Sequence, residues 1–79
     1  MDRNAVFSQF VEVFSDVLDI DDPAVTDATT ANDFEEWDSL SNIRLIVALE
    51  RNFGVKFSNS EIEGLGCVGD LIDKLVEKV

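Results

Sequence analysis

An apolar stripe near the start of the chain restricts its fold more than any other feature. Val6, Phe7, Phe10, Val11, Phe14, Val17 and Leu18 recur three or four residues apart, with Ser8, Gln9, Glu12 and Ser15 between them. A helix puts the first set on one side, because its 3.6-residue turn brings i, i+3, i+4 and i+7 together. One amphipathic helix must bury its stripe against other elements, and two further stripes of the same period follow. Leu40, Ile43, Leu45, Ile46, Val47, Leu49 and Phe53 mark a helix over about 39–53, and Val68, Leu71, Ile72, Leu75, Val76 and Val79 mark a last one. No alternating strand pattern appears; Val55 and Phe57 could form only a stub without a partner strand.

The residues between the stripes set the boundaries. Pro23 disfavours helical geometry at Asp22, so the first helix stops near "DIDDPAV", and residues 21–37 form a long connection that Phe34 and Trp37 pin to the core. Asp38 is a good N-cap for the second long helix, and Gly54 suits the left-handed position that ends it. Ser58 stands three residues before Glu61, a capping-box spacing, and Gly64 and Gly66 close that helix after one or two turns. Lys74 and Lys78 lie toward the C-terminal end of the last helix, where the helix dipole favours cations. The expected fold is all-α: a four-helix bundle with a long first loop and a short third helix, one domain over 1–79.

The 79 residues include one cysteine, Cys67, and no histidine. An internal disulfide is therefore impossible and a zinc site of the usual nitrogen and sulfur ligands cannot be assembled, so stability must come from packing the 46% of residues that are hydrophobic. Cys67 itself reads as a small packing residue or cap neighbour. The acidic stretch "DIDDPAVTD" fails the EF-hand template, because Pro23 replaces a ligand and the turn glycine is missing. No metal is expected.

Seventeen acids against six bases give a net charge of −11, which repels nucleic acid and anionic membrane surfaces and favours basic protein partners. The opening "MDRNAVFSQF" lacks the layout of a secretory signal, and no apolar run approaches the ~20 residues needed to span a bilayer, so a cytoplasmic location, without membrane insertion, is the expectation. Without histidine, the Ser/His/Asp and Cys/His nucleophile systems are excluded, and Gly54, Gly64, Gly66 and Gly69 are not spaced as a phosphate-binding loop. The chain is not expected to be an enzyme.

Against this poor catalytic inventory stands Ser39, in "DSL" at 38–40. As a helix-start residue it needs no further role. Followed at fixed distances by "ALE", "FG" and "VGD", however, the tripeptide gives a pattern that resembles the acyl carrier protein family over nearly the whole chain, most strongly from Trp37 to Leu75. The resemblance implies that Ser39 receives 4′-phosphopantetheine covalently from coenzyme A through a separate phosphopantetheinyl transferase. The arm's thiol would then hold acyl groups as thioesters, loaded by a ligase or synthase and used by downstream acyl-processing enzymes. It implies that Asp38 caps the helix and helps orient the transferase's metal ion, and that Leu40 is an apolar partner contact. Phe57, Ile62, Leu65, Leu71 and Ile72 align with positions that line the acyl-chain pocket in fatty-acid carriers. Their bulk suggests a short or polar cargo, or one kept outside.

The chain also departs from the fatty-acid type. It has Ser41, Arg44 and Arg51 where acids are usual on the second helix, keeps Glu50, and places Trp37 directly before the motif. Arg44 and Arg51, seven residues apart, share a face with Val47. A mixed partner surface of Trp37, Leu40, Arg44, Val47, Glu50 and Arg51 is expected, on a monomeric carrier serving a specialised fatty-acid, polyketide or related pathway. For Trp37 the role of loop-to-core anchor is the preferred reading, and the arginines can equally be solvated. The alternatives are an aminoacyl or peptidyl carrier of the same fold and an unmodified acidic helical adaptor for a basic protein.

Overall fold

The computed structural model describes residues 2–79, and among these the helices run α1 (Arg3–Leu18), α2 (Ser39–Phe53), α3 (Asn59–Glu63) and α4 (Val68–Lys78), with a single 3-10 turn at Ala31–Asp33. The all-helical bundle expected from the stripes is present, and no strand occurs among the described residues. α1 starts three residues before Val6 because the Asp2 carboxylate accepts the Ala5 N–H at 2.8 Å. It ends where Asp19 turns left-handed (φ 54°), and Asp22, just before Pro23, is also left-handed (φ 47°). Such angles are costly for most side chains and least so for Asp and Asn.

α1 packs against α2 and α4. Their shared core includes Val6, Phe10, Phe14, Leu45, Leu49, Val68, Ile72 and Leu75, each fully removed from solvent. Val13 also joins this core, while Val11 and Val17 of the expected stripe sit at its edge. The stripe is therefore rotated slightly from its sequence centre, as it must be when one helix meets two neighbours. Val79 lies beyond the last helix and is exposed.

The long connection is tied down by aromatic contacts and backbone bonds. Phe34 and Trp37 both meet the Phe14 ring near edge-on, at centroid distances of 5.3 and 5.2 Å. Thr29 is buried, its hydroxyl accepting the Thr26 N–H at 2.8 Å, and Thr30 with Asp33 closes a reciprocal cap around the 3-10 turn. The Thr29 and Asp27 carbonyls then accept the N–H groups of Val68 and Gly69, each at 2.8 Å. The connection thus caps α4.

The short α3 is held by its own capping box, in which Ser58 Oγ accepts the Glu61 N–H and Glu61 Oε1 accepts the Ser58 N–H. Lys78 at the far end of α4 reaches Glu61 Oε2 at 3.0 Å and lies 5.5 Å above the Phe57 ring. The Ser58 N–H, and after it Lys78, hold the Glu61 carboxyl down to about 2.

Candidate functional site

At the start of α2 the backbone passes from extended at Asp38 to helical at Ser39. Asp38 Oδ1 accepts the Ser41 N–H at 2.9 Å, and the Asp38 carbonyl accepts the Asn42 N–H at 2.8 Å. The Ser41 N–H is the main reason the Asp38 carboxyl titrates below the ordinary carboxylate range. Because Asp38 supplies the cap, the Ser39 hydroxyl is not needed for it. Ser39 is exposed on the first helical turn. Helix geometry leaves its N–H and that of Leu40 without intrahelical acceptors, at the positive end of a 15-residue dipole. A phosphate joined to Ser39 Oγ would be electrostatically favoured there, so the residues present fit the group that the sequence resemblance implies.

Trp37 fixes this start from behind. It is only 8% exposed, stacks edge-on against Phe14, and donates its indole N–H to Asn42 Oδ1 at 3.0 Å. One residue before the cap and one residue of the first turn are thus joined to each other and to the core. Trp37 is accordingly an anchor and not an exposed partner contact, which corrects its place on the expected surface; an indole buried against Phe14 cannot reach a docked protein.

Beside Ser39 lies a cavity of about 390 Å³ whose walls include Trp37, Asn42, Ile62, Leu65, Cys67 and Leu71, with Asp38 and Ser39 on its lining. Three of the five expected pocket residues, Ile62, Leu65 and Leu71, are brought together here. Ile72 is instead fully buried in the core, and Phe57 lines a separate groove of about 470 Å³ between α2 and α3, shared with Ile43, Ile46, Val47 and Ile62. Asn42 and Cys67 are additional wall residues. Asn42, three positions after Ser39, could have been found from helical spacing; Cys67 comes from the turn before α4, and no local pattern places it near Ser39.

The outer face of α2 is apolar for a solvent-facing surface: Leu40 is 60%, Ile43 61% and Val47 41% exposed, with Arg44 and Arg51 exposed beside them. Glu50 is engaged differently, its Oε2 accepting the Phe57 N–H at 2.8 Å and tying down the link to α3. It braces the fold.

Comparison with known proteins agrees with this geometry. The family described as "Phosphopantetheine attachment site" matches residues 8–75. An acyl carrier protein of Thermotoga maritima is 30% identical over 77 residues, covering 98% of this chain and 95% of that protein. One of Thermosynechococcus vestitus is 34% identical over 80 residues, covering 100% and 98% respectively. Among solved structures, the solution NMR structure of the holo acyl carrier protein from Geobacter metallireducens superposes with a TM-score of 0.85 at 41% identity, covering 90% of this chain and 82% of that one. Fold and matches together define a small helical carrier domain with a phosphopantetheine attachment site. The chain belongs to the acyl carrier protein family, whose prosthetic group is 4′-phosphopantetheine.

Proposed function

We propose that the chain carries acyl groups as thioesters on a 4′-phosphopantetheine arm joined to Ser39 Oγ, its 79 residues acting as one carrier domain. One observation carries the reading: Ser39 stands exposed on the first turn of α2 while Asp38 does the capping, next to a cavity able to shelter cargo. Trp37 and Asn42 keep that turn in one place for a transferase to approach. The ionised Asp38 beside the hydroxyl is suited to orienting a transferase-bound metal ion. When bound, the arm supplies the thiol on which acyl groups are exchanged.

No histidine is present, and Asp38 is committed to its cap, so this chain delivers substrate and does not catalyse. Delivery works through effective concentration, since a tethered group meets its enzyme as if intramolecularly. The partners of the reading are a phosphopantetheinyl transferase, an acyl-loading ligase or synthase and later processing enzymes, in the cytoplasm. The arginine-bearing outer face of α2 supports a specialised pathway. The cavity walls combine Ile62, Leu65 and Leu71 with the amide of Asn42, which favours a short or partly polar cargo.

The test is intact mass before and after incubation with coenzyme A and a permissive transferase. A gain of one phosphopantetheinyl group is expected, and none for Ser39→Ala with unchanged helicity. Wild-type protein that stays unmodified, or a Ser39→Ala variant that still gains the group, refutes the assignment; the first outcome would favour an acidic adaptor.

A further inference from the structure

The charge of this chain is unevenly distributed. α2 has two arginines and a single glutamate, whereas four of the six bases and sixteen of the seventeen acids lie elsewhere. The one acid of α2, Glu50, is spent on the Phe57 N–H. Arg3, Lys74 and Lys78 form ion pairs within the molecule, while Arg44 and Arg51 form none among the described residues. The two free guanidinium groups sit seven residues apart, ~10 Å along the helix, on the same side as Leu40 and Val47. Ile43 borders the other side, toward the α3 groove that contains Glu50 and Glu63. The outer face of α2 is therefore an apolar ridge with a cationic edge, in a molecule that is otherwise acidic.

We infer that this face docks a partner protein whose contact surface is apolar and carries carboxylates placed to meet Arg44 and Arg51. The inference deepens the carrier reading, because the ridge begins at Leu40, immediately after Ser39. It also reverses what net charge alone suggests. A −11 chain should seek basic partners, but salt screens interactions beyond about 8 Å at physiological ionic strength, so charges at the contact decide docking. Arginine suits the role, since its planar fork engages a carboxylate through two hydrogen bonds. A second copy of the chain fits poorly, because three aliphatic side chains fall far short of the ~800 Å² per partner typical of a stable interface. A brief contact is what a carrier that must leave its enzyme requires. An anionic membrane fits poorly as well, since two basic residues fall short of the clusters of about four to eight by which anionic lipid surfaces are recognised.

The probes are two synthetic amphipathic helical peptides with the same leucine face, one flanked by glutamates and the other by lysines. Each is titrated at about 0.15 M salt into isotope-labelled protein already primed at Ser39. Amide shifts for residues 40–51 should follow the glutamate peptide. The Arg44→Glu, Arg51→Glu double variant should bind that peptide about tenfold more weakly while keeping its spectrum outside α2. The inference is overturned if the lysine peptide maps to α2, if the double variant binds the glutamate peptide equally well, or if the shifts come from self-association. Binding of wild-type protein to anionic vesicles through the same amides would overturn it too. Priming is read separately by mass, so a chain that cannot be primed undermines the carrier reading without deciding the docking result, and the titration can then be run on the unprimed protein.

Discussion

Helices α2 and α4 both begin with backbone N–H groups that need acceptors, and they find them in different places. At α2 the acceptor is local, the Asp38 side chain, and the turn that follows is open to solvent. At α4 the residue in the cap position, Cys67, makes no such bond. The Val68 and Gly69 N–H groups reach instead to the carbonyls of Thr29 and Asp27, and Val68 and Gly69 are themselves buried. A helix end capped by its own neighbour can stay uncovered, whereas one capped by a distant carbonyl must be covered by the segment that supplies it. Only the first kind can offer a hydroxyl to a partner protein. The second gives the bundle a fixed wall against which a cavity can form, and Cys67 and Leu71 of that wall line the same cavity as Ser39.

Removing the anchor of the open end should have the largest effect. Trp37→Ala deletes a nearly buried aromatic and is expected to cost about 3–5 kcal/mol by chemical denaturation, a large share of the ~5–15 kcal/mol typical of a domain. Hydrogen exchange should accelerate more at Asn42 and Ile43 than at Leu71 and Ile72. Equal acceleration at both ends would show that Trp37 stabilises the whole bundle and not specifically the start of α2.

At the closed end the vulnerable position is Gly69, where an added Cβ would lie 3.0 Å from the Asp27 carbonyl oxygen and 3.3 Å from its Cβ. Gly69→Ala should cost about 1–3 kcal/mol by overpacking, lowering Tm by roughly 4–8 °C for each kcal/mol. Gly64→Ala, whose new carbon finds its nearest neighbour at 3.5 Å, is the control and should change Tm far less. A Gly69→Ala protein with native Tm would mean that the connection shifts at no cost.

The smallest effect separates the two ends by pH. Asp38 is a titratable cap with a lowered pKa, so its contribution is complete above the ordinary value of 3.8 and is lost as pH falls through the folded value beneath it. The carbonyls capping α4 do not titrate. On acidification the Ser41 amide resonance should move with a midpoint below 3.8, while the Gly69 amide shows no transition of that midpoint. Glu61 offers a companion reading, its stabilising contribution being lost between 4.5 and about 2. Lys78→Gln should raise that midpoint by removing the ammonium group.

Much of this was legible in the residues. The span of α2 follows from Asp38, Gly54 and the stripe between them, because caps and periodicity are local and act whatever surrounds them. The capping box at Ser58 and Glu61 was legible for the same reason, and so was the pinning of the connection by Phe34 and Trp37. The start of α1 was missed because Asp2 precedes the stripe and caps residues that bury nothing. The pocket was read only in part. Ile72 and Phe57 have the right chemistry to line it, but whether an aliphatic residue points into a core or a cavity depends on the rotation of its helix against its neighbours. Glu50 was missed as a brace because its acceptor role depends on where the loop after Gly54 brings the Phe57 N–H.

The residues in order thus determined the helices, both ends of α2, the capping box of α3 and the place of the serine on a first turn, since each rests on interactions spanning a few positions. Only the folded arrangement decided that the connection caps α4, that Ile72 lies in the core and not in the cavity beside Ser39, and that the arginines of α2 remain unpaired in an acidic molecule. These depend on which groups meet across 20 or more positions of chain. Such meetings are fixed by how three stripes bury one another, and no single stripe specifies them.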